Sequence, residues 1–400
     1  MAVKVPITRP DIGELEAKEA ARVVVSGWIT QGPEVAAFEK EYAEAVRAPH
    51  AVAVSNCTVA LELALRVVGV KPGDDVVTVS HSFVATANSV VTVGARPVFC
   101  DVEEDTFGMD PRALERAITP KTRAIMCVHQ IGMPCDLEGV LAVAAKHGLP
   151  VVEDAACAIG SEIQIAGRWE RIGKPHGTIA CFSLHPRKIV TTGDGGMITT
   201  ADEATAKRLR LLRQHAMSVP DTVRHHSDKV IFEEYTEPAF NYRMTDLQAA
   251  VGRPQLRRLD QIVAKRRALA DGYAAALADN PVFAPPAERP TMRSNWQSYP
   301  LRLRPGSKLG QVEAMQGLMD RGIACKMGIS NAHQEPAYAG KGNWTCAPEG
   351  CPGCAQPCER LRVSERLRDT TVLVPLFHGM TEAEQDTVIA ALDEVARTGT

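Results

Sequence analysis

The sequence predicts an α/β protein: a large unit on a mostly parallel, seven-stranded sheet covered by helices, followed by a smaller C-terminal α+β unit. Between residues 51 and 200, short β-branched and apolar runs alternate with helix-like stretches, the order that produces parallel strands with helices on both faces. At 400 residues the chain exceeds one ordinary core, and near residue 255 the alternation gives way to a long basic helix and mixed elements. Units spanning 1–255 and 256–400 are therefore expected. The 45% hydrophobic fraction is enough to fill both.

Composition narrows the function classes. A net charge of −3 offers no general attraction to nucleic acid or to a membrane surface. No apolar run has the length of a membrane span, and the N-terminus lacks a charged-then-apolar leader. Apart from a cluster near residue 350, the cysteines are scattered through apparent strands and loops, as reduced thiols are. A cytoplasmic enzyme is expected.

Residues 10–27 carry a helical pattern, 28–35 (WITQGPEV) form a loop, and 34–46 form a second helix. Strand 51–55, the turn Ser-Asn-Cys-Thr and helix 58–67 come next. Strand, tight turn and helix leave free N–H groups at a helix N-terminus, a seat for phosphate at Cys57 and Thr58. Strand 75–80 ends just before Phe83, and strands 96–102, 124–129 and 149–154 follow with helices between them. Right-handed crossovers return parallel strands to the same edge, so Phe83, Asp154 and Ser183 are expected at one mouth, where open α/β sheets bind ligands. A carboxylate buried there needs a partner.

The stretch 178–200, TIACFSLHPRKIVTTGDGGMITT, reads as two strands around a proline turn and a glycine-rich turn. It holds Lys188 in tight backbone just past a buried strand, where desolvation would lower its pKa and free the amine to attack a carbonyl. Ser183 lies five residues earlier, with a hydroxyl to offer a phosphate. A carbonyl-attacking lysine with phosphate donors is the layout a pyridoxal phosphate (PLP) enzyme requires.

Further on, 167–177 reads as a polar loop, 203–213 as a basic amphipathic helix, and 218–229 as a long loop in which His225 and His226 are solvated. Thr245 and Gln248 have the spacing of a capping box opening a helix. Residues 253–277 read as one long helix with an exposed charged face. A strand over 294–303 and helices over 308–321 and 381–397 make up the small unit. Cys346, Cys351, Cys354 and Cys358 are spaced C-x4-C-x2-C-x3-C, which suits either a metal or a plain reduced loop. No metal is assigned to the reaction.

Together, FSLHPRK–TTGDGG, GluAspAlaAla at 153–156, FNYRMTDLQ at 240–248 and WITQGP at 28–33 resemble the DegT/DnrJ/EryC1/StrS aminotransferases, in family order and over nearly the whole chain. The resemblance implies the fold-type I PLP-transferase fold and an aminotransferase passing nitrogen from L-glutamate or L-glutamine to a keto-sugar or keto-cyclitol. By it, Lys188 is the Schiff-base lysine, Asp154 pairs with the pyridine nitrogen, and Phe83 stacks on the ring. Ser183, Cys57 and Thr58 hold the phosphate, with Asn241 and Arg243 reaching it from the other subunit of a homodimer. Trp28 would lie near the site of that dimer. His333, Trp296 and His185 are implied substrate contacts. Two departures stand out: Cys57 where glycine is common, with strain if its φ is positive, and Cys157 where glutamine or histidine faces the cofactor. Alternatives are a sugar dehydratase of the same family, which dispenses with the lysine, other PLP chemistry on the same fold, and a non-catalytic regulatory relative.

Overall fold

The computed structural model describes residues 3–219, 224, 227–347 and 358–398. His225 and His226, read above as solvated, lie outside them. In chain order the strands are β1 (His50–Val54), β2 (Asp75–Val79), β3 (Arg96–Cys100), β4 (Thr122–Val128), β5 (Val151–Asp154), β6 (Glu162–Ile165), β7 (Arg168–Arg171), β8 (Ile179–Ser183) and β9 (Gly196–Thr200). They continue with β10 (Phe283–Ala284), β11 (Met292–Arg293), β12 (Tyr299–Leu303), β13 (Lys326–Met327) and β14 (Thr371–Val374).

Seven of these form one sheet in the order β1-β9-β8-β5-β4-β2-β3. From β3 to β8 every pairing is parallel, while β9 runs antiparallel to both β8 and β1. The reason lies in the connections. Helices link β2, β3, β4 and β5 in turn and a long segment carrying the β6–β7 hairpin links β5 to β8, whereas only the lysine turn separates β8 from β9, and a parallel return needs a longer crossover. The seven strands and their near-complete burial match the expected sheet. Asp154 pairs level with Val128 and Cys181, so the C-terminal ends of β4, β5 and β8 share one edge.

A four-stranded antiparallel sheet, β10-β12-β14-β13, is built from later residues. Val5 bridges Ile323, so the chain's start also joins this part. One apolar core runs through both sheets, from Phe38 and Tyr42 to Phe377 and Leu392.

Three segments differ from expectation. The stretch 167–177 read as a loop contains β7, which forms a hairpin with β6 just before it, and β11 adds to β6 as a third strand. Ala166 and Gly167, both at positive φ (48° and 75°), make the two-residue turn that matches strand twist, and glycine takes such a φ without strain. The long basic helix is two helices, Asp246–Arg257 and Leu259–Ala276, with Pro254 inside the first and the break at Arg258. Upstream of β12, residues 294–298 leave the strand because Trp296 sits at φ 48°. The Thr245–Gln248 capping box is as expected, each side chain accepting the other's N–H.

The second of those helices was expected to show a charged face, yet Arg266 is buried. Its guanidinium donates to the carbonyls of Trp296, Gln297 and Leu376, joining three chain segments, and burial pulls its pKa down to about 9. Arg266→Ala strands several buried carbonyls, each costing about 1–3 kcal/mol. A loss of roughly 3 kcal/mol is expected by urea titration, and Arg266→Lys should recover only part of it.

Candidate active site

Asp154 ends β5 with its carboxylate buried. The Thr86 hydroxyl donates to its Oδ2 at 2.7 Å and the Ala156 N–H to its Oδ1 at 3.2 Å. Burial pushes the carboxyl up from its usual range, and these two donors and Lys188 offset only part of that. Thr86 lies on helix Ala85–Thr92, which β2 feeds through the turn bearing Phe83. Its own orientation is held by Ser82 at 2.7 Å. Strand alternation sends the preceding Glu153 to the opposite face, where it bonds His129 Nε2 (3.0 Å) and the Gly177 N–H (2.8 Å). The Cys135 N–H donates to His129 Nδ1 at 3.2 Å. Cys127, His129 and Cys135 bring potential metal-binding atoms within 4.8 Å of one another, but both imidazole nitrogens are already engaged.

Lys188 follows β8, on a turn closed by its N–H to the His185 carbonyl at 2.8 Å. Its Nζ donates to Cys157 Sγ at 3.0 Å. Here a correction is needed. Burial does work to lower the ammonium's pKa, but the sulfurs of Cys157 and Cys57 and the Asp154 carboxylate outweigh it and hold it above the ordinary lysine value.

The turn read as a phosphate seat does join a strand to a helix. Helix Cys57–Val67 is capped by Asn56, whose side chain accepts the Val59 N–H and whose carbonyl accepts that of Ala60. The N–H groups of Cys57 and Thr58 have no acceptor among the described residues. Cys57 is helical, so the strain of a positive φ does not arise. Gly196 on β9 passes beneath this turn, where a Cβ would stand 2.4 Å from the Asn56 carbonyl. Ser183, at the end of β8, is half-buried beside it in the sheet.

Phe83 is 73% exposed and so is not a core residue. Asn241 is exposed as well, and its segment is pinned beside the phosphate turn by the Ser55 N–H donating to the Tyr242 carbonyl at 2.8 Å. Arg243 is half-buried in the same segment, with its N–H toward Asn241 Oδ1. His185 is exposed next to Lys188, and its partial burial lowers its pKa.

Two expected substrate contacts are not available. His333 is buried between Ser80 Oγ (2.6 Å) and Glu365 Oε1 (3.0 Å), with both ring nitrogens used. Trp296 is buried against Tyr299, its ring centroid 5.4 Å away. Sequence reasoning missed Thr86, although it lies three residues past Phe83, one helical turn on. It also missed Asn295, which donates to the Cys157 and Ile159 carbonyls, and Gln297, which donates to the Arg187 carbonyl. Those two brace the site from a distant segment and carry no local signal.

The DegT/DnrJ/EryC1/StrS aminotransferase family model matches residues 10–393. The chain belongs to this family. It is 36% identical to the spore coat polysaccharide biosynthesis protein SpsC of Bacillus subtilis over 98% of this chain and 97% of that one. Among solved structures it resembles the aminotransferase TlmJ of Streptoalloteichus hindustanus (30% identity, TM-score 0.85, covering 98% and 99% of the two chains). It also resembles Spr1654 of Streptococcus pneumoniae in its PLP form (27% identity, TM-score 0.87, 99% of each).

As a family member the chain is a PLP-dependent aminotransferase, and its residues fit that cofactor. The unclaimed N–H pair at Cys57 and Thr58 suits a phosphate. The buried Asp154 carboxylate, pushed up for want of a full positive partner, suits a protonated ring nitrogen.

With Lys188 as the amine expected to receive the cofactor, its contact with Cys157 should make uptake pH-dependent. Only the neutral amine attacks an aldehyde, and below the raised Lys188 pKa that fraction grows up to about tenfold per pH unit. Uptake of PLP by cofactor-free protein, followed by absorbance, is expected to accelerate from pH 7 to 9. Cys157→Ala removes the stabilising sulfur, so it should be faster at pH 7 with a shallower pH slope.

Proposed function

We propose that this aminotransferase moves the amino group of L-glutamate or L-glutamine to the ketone of a sugar, nucleotide-linked, or of a cyclitol, in two half-reactions. The observation that carries this reading is the Lys188 amine held on Cys157, with the buried Asp154 charge acting on it. A dehydratase of this family has no use for that lysine. The polysaccharide role in the name of the 36%-identical SpsC supports a sugar acceptor.

Bound PLP supplies an aldehyde to receive the donor nitrogen and a ring that spreads the charge left at the donor Cα. Lys188 Nζ is the mobile base in the site: it takes the proton from the donor Cα and returns it on the cofactor side, then runs the same steps backward for the acceptor. Asp154, fixed by Thr86 and the Ala156 N–H, keeps a negative charge facing the ring nitrogen so that the ring stays cationic. Cys57, Thr58 and Ser183 anchor the phosphate, and Phe83 offers its exposed face to the ring. His185 faces the substrate side.

The working unit is proposed to be a cytoplasmic homodimer, with Asn241 and Arg243 completing the partner's phosphate site and Trp28 near it. Supporting this, residues 230–240 expose Val230 (85%), Phe232 (88%), Tyr235 and Phe240, an apolar stretch that a second copy would cover. No helix among the described residues is long and apolar enough to cross a membrane.

The test is an absorption spectrum of the loaded enzyme. L-Glutamate or L-glutamine should bleach the yellow band, and a nucleotide-linked keto-sugar should restore it with amino-sugar formed. A band indifferent to both donors would refute the donor assignment. Bleaching that no keto-sugar or keto-cyclitol reverses would refute the acceptor class.

A further inference from the structure

We propose that Cys157 and Lys188 are a redox modification site: peroxide joins Sγ to Nζ as a reversible sulfenamide whenever the Lys188 amine is free of the cofactor. The two atoms are already in contact, Nζ donating to Sγ at 3.0 Å. The backbone on either side is fixed. The Lys188 N–H closes its turn onto the His185 carbonyl, and the Cys157 carbonyl accepts the Asn295 side chain at 2.8 Å. The flexible lysine stem supplies the remaining freedom, and rotation about it brings Nζ to bonding distance of the sulfur.

Exposure selects this sulfur among the others. Reactive cysteines sit in electropositive, partly exposed settings, whereas buried thiols are inert. Among the described free cysteines only Cys157 and Cys325 escape full burial. Cys325 donates to the Met315 carbonyl at 3.4 Å, and burial pushes its thiol up to about 11. Cys57 also acts on Lys188, but burial and the Asp154 charge hold its thiol well above the ordinary value. Cys157 alone combines access with an amine on its sulfur.

The chemistry balances with a single hydrogen peroxide. The Cys157 sulfur attacks one peroxide oxygen and the O–O bond breaks, leaving a sulfenic acid and water. The neutral Lys188 amine then attacks that sulfur. An S–N bond forms, the S–O bond breaks, and the departing hydroxide takes a proton from nitrogen to leave as a second water. Sulfur is oxidised, peroxide is reduced, and the pair loses two hydrogens. A small thiol reverses the step: it attacks the sulfur, nitrogen leaves as the amine, and a second thiol reduces the mixed disulfide.

The timing rests on the aminotransferase reading above. In the resting enzyme the Lys188 nitrogen is joined to PLP, and once the donor's nitrogen is on the cofactor the amine is released. Peroxide would therefore stop the enzyme between its two half-reactions, with Lys188 unable to carry a proton. Because the Lys188 pKa is raised, the neutral amine is scarce near neutrality and the bridge should form faster as pH rises.

The experiment treats three forms of the protein with hydrogen peroxide at mildly alkaline pH: PLP-loaded, bleached with L-glutamate or L-glutamine, and stripped of cofactor. Non-reducing peptide mapping should find the Cys157 and Lys188 peptides linked and lighter by two hydrogens in the bleached and stripped forms, and unlinked in the PLP-loaded form. Dithiothreitol should release the link. In the bleached form, the rate at which the donor's keto acid restores the yellow band should fall by about 10²-fold or more and recover with dithiothreitol. Cys157→Ala should keep its own untreated rate through peroxide, and Cys325→Ala should bridge as wild type does. No link in the stripped form, a Cys57–Cys157 disulfide, a bridge that retains oxygen, or Cys157 sulfinic acid alone would each overturn the proposal. Equal bridging in the PLP-loaded form would overturn its control by the cofactor. If neither donor bleaches the band, the donor reading fails, and the stripped form still decides the bridge.

Discussion

Lys188→Ala is expected to lower kcat by at least about 10³- to 10⁴-fold, the range for removing a positioned general acid–base. The protein should stay folded, because the lysine's polar contact is with Cys157 at the mouth of the sheet and no core packing depends on it. The yellow absorption of the loaded enzyme should disappear while phosphate-anchored binding persists more weakly. Lys188→Arg separates two explanations. It keeps a positive charge beside Asp154 and Cys157 but cannot act as a neutral amine, so it should be as inactive as alanine if chemistry, rather than charge balance, is the lysine's role. Single-turnover kinetics with the amino donor, together with Tm, make the measurement. More than a tenth of wild-type activity in either variant would remove Lys188 from the mechanism.

Asp154→Asn should cost about 10²–10³ in kcat, as removal of a charge aimed at the reacting system does. It should also weaken cofactor binding, because the ring nitrogen loses its counter-charge in a buried site. Stability should move the opposite way. Burial raises the folded-state pKa of Asp154 above its unfolded value, so the native state binds the extra proton more tightly. Above the ordinary carboxylate pKa, wild-type cofactor-free protein thus loses stability as pH climbs through the raised value. The asparagine variant lacks this loss. At neutral pH its cofactor-free form should unfold at equal or higher urea concentration than wild type, with the gap closing at acid pH. A variant less stable than wild type at neutral pH and unchanged in kcat would mean that Asp154 is only a fold residue.

The order of strands, the phosphate turn, the aspartate at a strand end and the lysine turn were legible because each is a local pattern. Alternation of apolar runs with helical ones fixes which strands are parallel. Parallel strands then place Phe83, Asp154 and Ser183 toward one edge whatever the side-chain details. The capping box at Thr245 was readable for the same reason, since it spans three residues. The β6–β7 hairpin was hidden by its polar composition, although Ala166-Gly167 marks its turn.

What the sequence determined by itself, then, is the family's architecture and where along the chain the candidate reactive groups fall. Tertiary structure alone decided their chemistry. Lys188 has a raised rather than a lowered pKa because Cys157, 31 residues away, brings its sulfur to 3.0 Å. His333 is a buried brace rather than a substrate contact because Ser80 and Glu365 close on it from opposite directions along the chain. Cys346 and Cys358 meet across a small apolar cluster on the edge of β3. Protonation and exposure depend on neighbours within a few ångströms. Those neighbours come from distant parts of the chain, so no local pattern announces them.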